Sequence, residues 1–178
     1  IFIDKIEDDF LRDELEKAVA IPSKNILFNI DQQADVITTK QQDAILSTLL
    51  KVFNNMQGFY AKQPYIAQFE RDLSKKGIYE KFKDEFLKEA GKPWEIGRET
   101  ADGLENDIFA QVYAKVNNTT EEQGRKILDT YRDNQKLSID DFANLVKDYI
   151  DSQEDGFRLN FFIDEIGQFI ADNTNLML

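Results

Sequence analysis

The chain contains no cysteine and no histidine. Without cysteine there is no disulfide framework and no thiol nucleophile, which fits a reducing compartment. Without histidine the commonest general base is gone, and with it Ser-His and Cys-His nucleophile pairs and most zinc sites. Any catalysis must therefore run on carboxylates, with Mg²⁺ as the matching metal. Basic residues are also scarce: 22 Lys and Arg stand against 34 Asp and Glu, a net charge of −12. That balance argues against broad non-specific binding to DNA or RNA, which needs clustered cations. No apolar run approaches the roughly 20 residues of a membrane span. The start, Ile1-Phe2-Ile3-Asp4, has no basic region leading into an apolar stretch, so it does not read as a signal peptide. These features together place the expected site of action in the cytoplasm. There is no initiator Met, and the last residues, Asn175-Leu176-Met177-Leu178, form no polar tail. Both ends read as cuts from a longer protein.

What is present is a substantial apolar fraction, 42% of residues including 14 Phe, enough for a packed core. Most of it recurs at helical spacing. Ile3, Ile6, Phe10, Leu11 and Leu15 predict a first helix over about 3–20 with one buried stripe, ended by Pro22. Asn25 to Ile30 is a short apolar run closed by Asp31, which predicts a buried strand. A long helix is expected over about 38–56, with Gly58 just past its end. Pro64 opens another helix, and further helices are expected around Phe82, Ile108, Leu128 and Phe142, the last capped by Ser138 with Asp141. After Gly156 a second apolar strand runs over about 158–164. Two apolar strands separated by helices predict an α/β fold, mostly helical, with about two parallel sheet strands. The connection is far longer than one crossover helix. Residues 1–57 and 157–178 are therefore assigned to a sheet-associated core, with 58–156 as a helical insertion.

The chemistry concentrates at Arg158-Leu159-Asn160-Phe161-Phe162-Ile163-Asp164-Glu165. An apolar strand running into two acids has the form of a Walker B element. In open α/β sheets, ligand sites lie at the carboxyl edge. Asp164 would hold Mg²⁺, usually through water, and Glu165 would orient the attacking water. The competing reading is a strand that ends in two solvated acids. Asn160 needs a polar partner, which a neighbouring strand could supply. Asp31, at the end of the first strand, is a secondary candidate.

The phosphate-cradling pattern G-x-x-x-x-G-K-[ST] is missing. The only Gly-Lys pair, Gly91-Lys92, is followed by Pro93, and Phe86 occupies the first-glycine position. Alone, the chain should bind nucleotide poorly. Residues 136–142 resemble the second half of a calcium loop, but alignment puts Arg132 at a ligand position, and a helix cap explains Ser138 to Asp141 more simply. Phe59, Tyr60, Tyr65 and Phe69 read as packed core in preference to a docking patch. Lys75 and Lys76 are too few for a nucleic-acid stripe.

The stretch from Phe157 to Asn173 resembles the large P-loop ATPase subunit of bacterial BREX phage-defence systems (the BrxC/PglY family). Asn25 to Asp35, Gln63 to Arg71 and Gly91 to Arg98 agree with that family as well, so the resemblance runs through nearly the whole chain. It implies an AAA-like P-loop ATPase, with the phosphate loop upstream of Ile1. ATP and Mg²⁺ would be its cofactors, Asp164 its metal residue and Glu165 its catalytic residue. Gly167 and Gln168 continue the acidic element, and Gln168 is expected near the site. Implied partners are other defence-system proteins, including a DNA methyltransferase, and homo-oligomers are compatible with it. DNA would be met only indirectly or through other regions. The alternative is a non-catalytic helical module that contacts partner proteins, with inert acids. An acidic calcium sensor is the third reading.

Overall fold

The computed structural model describes residues 3–30, 41–135 and 138–167. A 3-10 turn over Ile3–Lys5 precedes α1 (Asp9–Ala20), then β1 (Ser23–Asn29) and α2 (Gln41–Met56). Five helices follow: α3 (Pro64–Lys75), α4 (Tyr79–Ala90), α5 (Trp94–Gly97), α6 (Asn106–Asn117) and α7 (Glu121–Asp133). The described chain closes with α8 (Ile139–Asp151) and β2 (Arg158–Asp164). The fold is thus mostly helical with a two-stranded parallel sheet. It divides into two compact units, one of residues 1–48 with 138–178, the other of 49–137, with the boundary inside α2.

In the first unit, β1 and β2 pair from Ser23 opposite Arg158 to Asn29 opposite Asp164. The Arg158 N–H donates to the Pro22 carbonyl at 2.9 Å and extends the ladder by one bond. Paired residues in a parallel ladder point to the same face. Ile26 and Phe28 are buried on one face, opposite Phe161 and Ile163. On the other face Leu27 and Phe162 stay exposed, and Asn160 Nδ2 donates to Asn25 Oδ1 at 2.9 Å. The polar partner that Asn160 required is therefore its neighbour across the sheet.

Two expectations change here. The single helix over 3–20 is broken, because the Asp8 carboxylate accepts from the Leu11 N–H at 2.9 Å and starts a new helix. The stripe expected to be buried is not: Phe10 is 76% exposed and α1 buries no residue. The helix over 139–151 forms as expected, with Ser138 Oγ accepting from the Asp141 N–H at 3.1 Å. It too has no fully buried residue, and Ile139 is exposed. Helical period reports which residues share a face. It does not report whether anything covers that face. Through Phe142 against Phe161 and Tyr149 against Phe157, α8 packs beside β2 in the first unit.

The second unit has its own closed core. Helix α3 is its centre, with Tyr65, Ile66, Ala67, Phe69, Glu70, Arg71 and Leu73 all buried. Pro64 occupies its first turn, where a missing N–H costs nothing. The Phe69 ring meets Phe82 at 5.4 Å and Phe109 at 5.3 Å in edge-on geometry, the favoured arrangement for aromatic pairs. Phe59, Tyr60, Tyr65 and Phe69 are all core residues. Helices α6 and α7 cross at close quarters where Gly124 lies on Ala110, and a Cβ there would meet the Ala110 carbonyl oxygen at 2.7 Å.

Candidate functional site

Asp164 is the last residue of β2 and stands opposite Asn29, the last residue of β1. Both strands run the same way, so both carboxyl ends open on one edge. The strand ends abruptly because Glu165 adopts the left-handed region, φ 61°, and the chain turns helical at Ile166 and Gly167. A non-glycine residue held there stores on the order of 1–2 kcal/mol of strain. Two contacts hold it in place. The Glu165 N–H donates to Asp164 Oδ1 at 2.9 Å. The Asn29 side-chain amide donates to Glu165 Oε2. The two acids are both exposed.

Asp164 thus presents a hard carboxylate oxygen at an exposed sheet edge, which suits Mg²⁺. Among the described residues there is no group of three His, Cys, Asp or Glu side chains that could hold a metal. An ion resting on Asp164 would complete its shell with water and phosphate oxygens, as Mg²⁺ does. A phosphate cradle is a different matter. Gly91, the only glycine before a lysine, is the left-handed end of α4 at φ 68°. Lys92 is ion-paired with Glu105, and Pro93 caps α5. These residues serve to turn one helix into the next.

Asp31 and Gln168, the two secondary candidates, lie outside the described residues. Asn29 was not foreseen, although it brings the only side chain hydrogen-bonded to the Glu165 carboxylate among the described residues. The sequence signal available was slight: a polar residue near the end of an apolar run, at a site that lay at the carboxyl edge only if the two strands paired in parallel. The calcium-loop candidates are used structurally. Arg132 pairs with Asp102 and Asp129, and Asn134 ends α7.

A second group of ionisable residues lies buried in the helical unit. The Glu70 carboxylate is fully buried. It accepts from the Tyr60 N–H at 2.6 Å, Trp94 Nε1 at 2.7 Å and Arg98 Nη1 at 2.9 Å. Burial first, then this nearby carboxylate, raises the Tyr79 hydroxyl well above its usual range. Helix α3, helix α5 with its C-cap Arg98, and the loop bearing Tyr60 are tied together through one side chain. Burial lowers the neighbouring Arg71 guanidinium from its usual value, against the opposing pull of Asp72 and Glu70.

No family model and no solved structure matches the chain.

Proposed function

We propose that this chain supplies the Walker B part of a P-loop ATPase whose phosphate loop is contributed by sequence preceding Ile1. The observation that carries the reading is the placement of two adjacent acids at the carboxyl end of a parallel strand. There one acid is bent into a left-handed turn and gripped from the next strand. The resemblance to the BREX ATPase subunit supports the same assignment and extends it to a role in phage defence. That role would be shared with other proteins of the system, in the cytoplasm.

In this reading Asp164 would be the residue that holds Mg²⁺, and its Oδ1 fixes the Glu165 N–H and therefore the turn. Glu165 orients the attacking water and receives its proton. Asn29 sets where the Glu165 carboxylate points. Bound Mg²⁺ would neutralise the charge developing on the phosphate oxygens. The test is turnover and nucleotide binding in the intact protein that carries this chain. Glu165→Gln should retain ATP binding and lose hydrolysis by at least about 100-fold, the scale of a positioned acid or base. Wild-type turnover in that variant would defeat the assignment. Asp164→Ala should weaken Mg²⁺-dependent binding.

A second reading, a protein-interaction module, draws on the exposed apolar side chains Leu27 and Phe162 on one sheet face. Parallel sheets are normally covered on both faces. In the ATPase reading, further layers of the same domain cover that face.

A further inference from the structure

We propose that Arg71 and Asn54, inside the helical unit, form a binding site for a small monovalent anion of halide size. This rests on neither the strand acids nor the nucleotide reading. Arg71 is 6% exposed and Asn54 1%. Arg71 Nη1 donates to Gln68 Oε1 at 2.8 Å and Nη2 to Asn54 Oδ1 at 2.5 Å, and its guanidinium lies 5.2 Å from the Phe59 ring centre. All three are neutral groups. Buried charges are ordinarily paired, since an uncompensated one costs several kcal/mol. Yet among the described residues Arg71 has no carboxylate at ion-pair distance.

The acids next to it in sequence are committed elsewhere. Glu70 is held by Tyr60, Trp94 and Arg98. Asp72 accepts from Tyr131 and Gln68. Meanwhile, among the described residues, each of the two side chains keeps a buried donor without an acceptor, Arg71 Nε and Asn54 Nδ2. The hydrogen bond from Nη2 fixes the Asn54 amide with its oxygen towards Arg71, so its nitrogen must find an acceptor of its own. A buried positive charge with no carboxylate in direct contact, hydrogen-bonded to an amide with an unused N–H, calls for an acceptor that is also an anion. One positive charge calls for one negative charge. A halide also accepts N–H donors from several directions without presenting further polar groups for burial.

The test is thermal unfolding of the chain at constant ionic strength as gluconate is replaced by chloride, followed by Trp94 fluorescence. A saturable rise is expected, roughly 3–6 °C at about ten times the dissociation constant. Crystals grown in bromide should show an anomalous peak against Arg71 Nε and Asn54 Nδ2. Asn54→Asp would place a carboxylate beside the guanidinium and should remove the chloride dependence while the protein stays folded. Arg71→Gln, where it folds, should remove it as well. Equal melting in chloride and gluconate, an ordered water without anomalous signal, or an undiminished chloride response in Asn54→Asp would overturn the proposal.

Discussion

Replacing Glu70 by Gln keeps the shape of the side chain and removes its charge, so it isolates what the carboxylate does. In the native protein both oxygens accept: Oε2 from the Tyr60 N–H, and Oε1 from Trp94 and Arg98. An amide has one accepting oxygen. Its best orientation keeps that oxygen on Trp94 and Arg98 and turns its NH₂ toward the Tyr60 N–H, so that donor faces donor. One buried unsatisfied N–H costs about 1–3 kcal/mol. In addition Arg98, whose side chain is only 15% exposed, loses its counter-charge. Breaking a buried ion pair from one side costs about 3–5 kcal/mol in all. The expected loss of stability is therefore about 3–5 kcal/mol, a fall of about 10 °C or more in melting temperature. Urea unfolding followed by fluorescence measures it directly, because Trp94 is the chain's single tryptophan and is fully buried against Glu70. The midpoint should drop while the m-value holds. Glu99→Gln is the matched control, since Glu99 pairs with Lys62 at an exposed position and its loss should barely move the midpoint. A change below about 1 kcal/mol for Glu70→Gln would refute the view that this carboxylate organises the unit.

Three further outcomes follow from the packing and the charges. Gly124→Ala forces a methyl group onto the Ala110 backbone and should cost about 1–3 kcal/mol in the same unfolding assay. Ser138→Ala removes the oxygen that caps α8 and should cost about 1 kcal/mol, seen as faster amide exchange in the first turn of that helix. Lys115 and Lys88 hold the Glu85 carboxyl down at about 2. A depressed carboxyl contributes stability that is present above its unfolded value of about 4.3 and is lost as pH falls toward 2. Lys115→Met should raise the Glu85 value, measured by carboxyl NMR titration, and flatten that acid limb.

The elements legible in the sequence are those set by neighbours along the chain. Pro64 at the start of α3, Gly91 at the end of α4 and the Ser138 cap are each decided within about four residues, by a missing N–H, a left-handed turn or a side-chain oxygen. The break at Asp8 was equally local, and it was missed because an unbroken apolar stripe masked the cap. The division of the chain was harder to read. The place of α8 depends on Phe142 meeting Phe161, and no spacing along one helix encodes a ring on a distant strand.

By itself the sequence determined the two strands, the run of helices, the exclusion of histidine and thiol chemistry, and the adjacency of Asp164 and Glu165. All of these follow from composition or from periods of two and 3.6 residues. Parallel strands were expected from the sequence; only the tertiary structure decided their register, because residues more than a hundred positions apart must meet to set it. The pairing puts Asn29 beside Glu165, closes a left-handed turn around the second acid, and leaves Leu27 and Phe162 uncovered on the far face. It also decided that Glu70 has an ion-pair partner in Arg98 while Arg71, among the described residues, has none. Both are buried on the same helix, one residue apart, and their difference lies wholly in what the other helices bring to them.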